Sequence, residues 1–249
     1  MKMLFLGDVV GPKGMQAVER DLPVLIRQFK PDFVIVNGEN ANVRNGITKE
    51  EAERLHYAGA DIITGGNHSF RQKNIYDFLD ECNYLLRPAN FSPLAPGRGS
   101  ALVQTPVGNI LVINLCGQVY MENSDNAFFA ADKILKDTQA DFIFVDFHAE
   151  ATSEKKALAY YLDGRVTGLF GTHTHVQTAD EQFLPKGTAY ITDVGMCGVQ
   201  DSALGVDAEI IIRKFTTGMP CYFEKADGPY RTNAIFMDTE KKEIQRICT

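Results

Sequence analysis

No run of ~18 consecutive apolar residues occurs in the chain, which leaves no candidate for a membrane-spanning helix. Dense basic blocks are also missing: Lys241-Lys242 is only a pair, and 32 acidic residues against 25 basic ones give a net charge of −7. That balance argues against a scaffold for long polyanions, while a small phosphate held through metal stays compatible with it. Cysteine is sparse and unpatterned. Cys82, Cys116, Cys197, Cys221 and Cys248 form an odd set without C-x-x-C spacing, which reads as buried thiols in a reducing compartment. Tryptophan is absent, which excludes nothing. Repeats, low-complexity linkers and composition shifts are lacking too. A chain of 249 residues, 45% apolar, buries a large core, so the expectation is one domain over residues 1–249. Asp8 interrupts the apolar opening that a signal peptide requires, and the chain is therefore expected in the cytoplasm.

What is present is an alternation of short apolar runs with helix-period stretches, the pattern of an α/β fold with parallel strands. Met3 to Leu6, Phe33 to Val36, Ile62 to Thr64, Phe142 to Val145 and Val166 to Phe170 read as buried strands. Between them, Val18, Leu22, Leu25, Ile26 and Phe29 keep helical spacing, and Thr48 with Glu51 forms a capping box that opens a helix to about Tyr57. Further helices are expected around Ile75 to Leu79, Ala127 to Leu135 and from Ser153-Glu154 to Leu162. Ala101 to Thr105 and Ile110 to Leu115 read as a hairpin, as do Ala234 to Met237 and Glu243 to Ile247. Ala189 to Thr192 and Glu209 to Arg213 are additional strand candidates.

The chemistry collects where the strands end. Asp8, Glu39-Asn40, Asn67-His68, His148 and His173-Thr174-His175 each follow an apolar run. Intervals of 31, 28 and 25 residues separate Asp8 from Glu39, Glu39 from Asn67 and His148 from His173. Each is about one strand–helix–strand unit, and ligands of open α/β sheets sit beyond the carboxyl ends of strands. Taken singly, most pieces have plainer readings: Asp8 as a turn or cap, Glu39-Asn40 as a solvated loop, Asn67 as a helix cap, His148 as a core histidine. Alternating His173 and His175 after a buried strand favour metal, and one strand-end site explains all five pieces together. Histidine mixed with carboxylate suits Zn, Fe or Mn rather than Ca.

Asp8, Gly38-Glu39, Gly66-Asn67-His68, His148 and Gly171-Thr-His-Thr-His175 resemble the motif series of the calcineurin-like metallophosphoesterases. The resemblance implies two facing mixed β-sheets flanked by helices, a four-layer sandwich, with a binuclear site. Two departures matter: Val10 stands where that superfamily has histidine, and Glu39 where it has a bridging aspartate. With Gly-Asp-Val-Val-Gly at 7–11, Asn-Gly-Glu-Asn-Ala at 37–41, Asp-Phe-His-Ala-Glu at 146–150 and Thr-Asp-Val-Gly-Met-Cys-Gly at 192–198, the chain is similar to the bacterial YmdB-type phosphodiesterases.

That likeness implies a phosphodiesterase with two iron or manganese ions that converts 2′,3′-cyclic nucleotides to 3′-nucleotides by attack of a bridging hydroxide on phosphorus. It implies Asp8, Glu39, Asn40 and His175 on one ion, Glu39, Asn67, His148 and His173 on the other, and His68 as proton donor. Asn40 would replace the histidine that Val10 cannot supply. A small-molecule phosphodiester is the expected partner, with a homo-oligomer implied by the family and neither nucleic-acid scaffold nor membrane called for. The rival is a nucleotide-sensing regulatory module with slow or no turnover; within enzymes, it is a phosphomonoesterase or nuclease. G-x-G-x-x-G, P-loop and G-x-S-x-G segments are all absent, which removes the other routes to phosphate or acyl chemistry.

Overall fold

The computed structural model describes residues 1–121 and 124–249. β1 (Lys2–Leu6) and β2 (Asp8–Val9) lead into α1 (Gly11–Phe29), followed by β3 (Phe33–Asn37), α2 (Lys49–Ala58), β4 (Ile62–Thr64) and α3 (Tyr76–Glu81). The hairpin β5 (Ser100–Thr105) and β6 (Gly108–Cys116) precedes α4 (Ala127–Asp137), β7 (Phe142–His148), α5 (Thr152–Leu162) and β8 (Gly168–Thr172). β9 (Gln182–Phe183), β10 (Ala189–Ile191) and β11 (Met196–Val199) lead to α6 (Ala208–Thr217), and β12 (Tyr230–Arg231), β13 (Asn233–Asp238) and β14 (Glu243–Cys248) close the chain.

Two mixed sheets carry the architecture. One has the order β14-β13-β1-β3-β4, the other β5-β6-β7-β8-β10-β9, and a small third sheet joins β12-β11-β2. In the second sheet parallel strands form the middle and antiparallel strands both edges; in the first, β1, β3 and β4 run parallel out to one edge and the antiparallel hairpin β13–β14 forms the other. Such strands are covered on both faces and are therefore almost uniformly apolar. Phe5, Phe33, Ile35 and Ile62 of the first sheet meet Val112, Phe144, Phe170 and Ile191 of the second in one buried cluster. Val18, Leu22 and Leu55 from α1 and α2 pack on the outside of the first sheet, Ala131, Leu158 and Leu162 from α4 and α5 on the outside of the second. The result is helix, sheet, sheet, helix: the four-layer α/β sandwich expected.

Thr48 caps α2 with Glu51 in a reciprocal capping box, as the sequence predicts. Residues Glu209 to Arg213 are different. They lie in α6, not in a strand, because Asp207 accepts hydrogen bonds from the backbone N–H groups of Glu209 and Ile210. The β-branched run Ile210-Ile211-Ile212 suggests a strand, but local capping prevails where no sheet neighbour exists. The expected strand at Val166 to Phe170 starts two residues later, at Gly168. Three thiols, Cys82, Cys116 and Cys197, are buried, whereas Cys221 is half-buried and Cys248 exposed; all five are free. Among the described residues no helix is long and apolar enough to cross a membrane.

Candidate metal centre

The registers of the parallel strands bring their carboxyl ends to one edge. Cys116 lies beside His148, and His148 beside Thr172, so the loop carrying His173 and His175 starts next to the end of β7. Asn37 is level with Thr64, which puts the Glu39 and Asn67 turns side by side. The pair β2–β11 sets Asp8 against Met196.

All seven candidate ligands and His68 meet there. His148 Nε2 is 3.1 Å from Asn67 Oδ1, 3.1 Å from His173 Nδ1 and 3.6 Å from Glu39 Oε1. His175 Nε2 is 3.6 Å from Asp8 Oδ1 and 3.3 Å from Asn40 Nδ2. An ion about 2.1 Å from its donors spaces neighbouring donors about 3.0–3.4 Å apart, a spacing that three of these separations match and the two carboxylate contacts exceed slightly. In this arrangement the donors contact one another, and among the described residues no three His, Cys, Asp or Glu side chains close on a single point. Asn40 turns its amide nitrogen to His175 and its oxygen to His68 Nδ1, 3.1 Å away, so serving an ion beside His175 requires the amide to rotate.

The proton positions follow from the outer partners. Thr172 Oγ1 donates to Asp146 Oδ1, leaving its lone pair to accept from His148 Nδ1 at 2.9 Å. The proton of His148 is thus on Nδ1, and Nε2 is a bare lone pair. His175 Nδ1 donates to the Leu204 carbonyl at 2.9 Å, which turns Nε2 toward Asp8. His173 Nε2 stands 3.1 Å from the Glu150 carboxylate, which draws its proton to that side and leaves Nδ1 facing His148 Nε2. Two lone pairs 3.1 Å apart repel unless a cation lies between them. Two buried carboxylate oxygens, Asp8 Oδ1 and Glu39 Oε2, also lack any hydrogen-bond partner. Orphaned oxygens and outward-held imidazole protons are what a metal site presents through its surroundings. The residues fit a metal centre.

Two of the three imidazoles are held neutral. Burial holds His148 well below its ordinary pKa and lowers His173, so both imidazoles are neutral. For His175, burial opposes the charged form, but contact with Asp8 outweighs it and raises the pKa. Burial alone would raise Asp8; His175 and His148 overcome it and hold the carboxyl well below its usual range. Glu39 is pushed up by burial, against the pull of His68. Such neutral imidazoles can ligate directly. Within the strand-end edge the inner groups are buried, with Asp8, Glu39 and His148 at most 1% exposed, while Asn67, His68, His173 and His175 are half-buried and reach its surface.

Several supports carry no motif of their own. Asp146, pushed up to about 7 by burial, receives Thr64, Thr172 and Asn37 and so locks the Thr172–His148 pair. A Cβ on Gly66 would run into the His148 ring, which explains glycine there. The histidine loop is strained: φ is 101° at His173 and 63° at His175, values sparsely populated by residues with side chains. Asp8 Oδ2 accepts from the His173 backbone and Asp193 Oδ2 from that of Thr174, both at 3.0 Å, and these bonds hold the loop in place. Asp193 is paired at 2.7 Å with Lys155, and both side chains are fully buried.

Comparison with known proteins identifies the family. The family described as YmdB-like protein matches residues 4–248. The chain belongs to that family. A 2′,3′-cyclic-nucleotide 2′-phosphodiesterase of Bacillus subtilis is 46% identical over 254 residues, covering 99% of this chain and 96% of the relative. A hypothetical protein from Thermus thermophilus shares the fold at TM-score 0.94 and 40% identity, over 100% of this chain and 99% of that one. A Mycoplasma pneumoniae structure described as a novel phosphatase matches at TM-score 0.93 and 36% identity, over 100% of this chain and 93% of that one.

Proposed function

We propose that this YmdB-like chain is a binuclear metal-dependent phosphodiesterase that converts 2′,3′-cyclic nucleotides to 3′-nucleotides. The observation that carries it is the convergence of His148 Nε2 and His173 Nδ1, 3.1 Å apart, beside carboxylate oxygens without hydrogen-bond partners. In this reading Asp8, Glu39, Asn40 and His175 would hold one ion and Glu39, Asn67, His148 and His173 the other, with Glu39 serving both. Iron is the first choice and manganese the second, since the N/O donor mixture suits both. When bound, two such ions clamp phosphate oxygens and bring the pKa of a water near neutrality.

The chain's own groups do the rest. Five neutral donors (Asn40, Asn67, His148, His173 and His175) against two carboxylates leave a loaded centre cationic, which draws an anionic diester despite the acidic whole. His68 is the candidate acid. Its backbone N–H donates to Glu39 Oε1 at 2.6 Å and its Nδ1 contacts the same oxygen at 3.1 Å, which leaves Nε2 for the cleft side. From there it delivers a proton to O2′ as the oxygen of a water adds to phosphorus and the P–O2′ bond breaks. The same reading places the protein in the cytoplasm, in keeping with its free thiols.

The test is incubation of metal-loaded protein with 2′,3′-cyclic AMP, with chromatography for 3′-AMP and metal analysis of the same sample. Catalytic 3′-AMP with about two ions per chain supports the proposal. Stoichiometric retention of nucleotide without product selects the sensor instead.

A further inference from the structure

The histidines line a cleft of about 370 Å³, the size of a small-molecule site rather than of a polymer groove. One wall is the loop after β3, with Val43, Arg44 and Asn45; the opposite wall includes Leu204 and Phe223, from the segments on either side of α6. Phosphodiester cleavage as derived above uses none of these residues. Phe223 is the one that most needs a reason.

The residue is 55% exposed. The Lys214 ammonium lies 4.5 Å from the ring centroid. On the backbone, the carbonyl of the next residue, Glu224, accepts from the Asp207 N–H at 3.0 Å, and the Ala226 N–H donates to Gly205 at 2.9 Å. Lys225 Nζ then reaches across the cleft to Asn45 Oδ1 at 2.8 Å, tying the two walls together. An exposed aromatic ring at the mouth of a polar cleft offers a flat partner a face to stack on. Val43 and Leu204, 55% and 51% exposed, extend the apolar rim, and Arg44 and Arg71 add guanidinium groups. A ligand that matches all of this has one flat apolar end and one anionic end.

We infer that Phe223 is the base-stacking residue of this cleft, which takes a mononucleotide with its phosphate at the histidines and its nucleobase on the Phe223 ring. The placement of the phosphate rests on the phosphodiesterase reading. Every nucleobase has a π-face, so stacking supplies affinity without a strict choice of base.

Calorimetric titration of manganese-loaded wild type, Phe223→Ala and Phe223→Tyr with 3′-AMP and with inorganic phosphate tests the assignment. Phe223→Ala is expected to weaken 3′-AMP binding roughly tenfold or more. It should leave phosphate binding unchanged, and Phe223→Tyr should restore 3′-AMP affinity. Equal weakening of both ligands, no weakening of 3′-AMP, no recovery in Phe223→Tyr, or wild type that binds 3′-AMP no better than phosphate each overturns it. These binding results are read whether or not 2′,3′-cyclic AMP is hydrolysed, so a failure of the proposed reaction shows separately as absent product.

Discussion

Replacing His68 by alanine separates proton donation from metal holding. Glu39 Oε1 keeps its 2.6 Å hydrogen bond from the backbone of residue 68 in the variant, so the carboxylate is not released. The imidazole is 28% exposed and lines the cleft, and its removal opens no cavity in the sealed core. What disappears is the acid for the departing ribose oxygen. Loss of general-acid catalysis costs ~10²–10⁴-fold, or about 2.7–5.4 kcal/mol of barrier. A p-nitrophenolate leaving group is stable without protonation and gains little from the donor. His68→Ala should therefore retain both metals, lose 2′,3′-cyclic AMP hydrolysis by that factor and keep most bis-p-nitrophenyl phosphate hydrolysis. Asn67→Ala removes an oxygen 3.1 Å from His148 Nε2 and should instead lower metal content and slow both substrates. Metal analysis and both rates on each variant decide it. Equal losses on the two substrates, or loss of metal in His68→Ala, would refute the donor role.

Glu39→Gln, at the only position assigned to both ions, should lower metal occupancy and abolish turnover; two retained ions with unchanged rate would remove the bridge. Lys155→Met leaves Asp193 buried without its partner, which typically costs about 3–5 kcal/mol. That should lower Tm by roughly 6–20 °C; Asp193→Asn in the same chain should recover part of the loss, and calorimetry showing a wild-type Tm in the single variant would contradict the pairing. Metal removal by chelation should destabilise the protein, since an ion at about 100 times its Kd contributes about 2.7 kcal/mol, or about 5–11 °C in Tm. A Tm indifferent to manganese readdition would count against the centre.

The large sheets were legible because buried parallel strands announce themselves as short apolar runs, and the helix at Thr48 because its capping box is a local device. Period and capping fail differently at the end of the chain. Ile210-Ile211-Ile212 carries β propensity, but only Asp207, three residues upstream of Ile210, tells that the segment is helical. The strands β2 and β11 escape notice since each is short and paired only through tertiary contact. For the site, strand-end histidines and carboxylates stand out by type and interval. Their supports do not: Lys155 looks like a solvent-facing helix residue, and nothing local indicates that its ammonium runs inward to Asp193. Glu150 and Thr172 set proton positions by geometry alone, which residue type cannot disclose.

The burial of this centre carries a consequence for how its fold and its chemistry are coupled. Asp8, Glu39 and His148 sit in the layer where the two sheets meet their loops, at most 1% exposed. Polar groups so placed destabilise a protein unless something satisfies them. Protein donors satisfy the inner oxygens and the outer imidazole nitrogens, but they leave Asp8 Oδ1, Glu39 Oε2 and the His148–His173 lone pairs to one another. Strained backbone at His173 and His175 adds to that cost and survives because Asp8, Asp193 and Leu204 fix the loop from three sides. In the proposed reading, the two cations together would satisfy these groups. The same residues that would activate a phosphodiester thereby make the stability of the loop edge depend on the metal, while the apolar layer of Phe5, Phe33, Phe144 and Phe170 below supplies a foundation that does not.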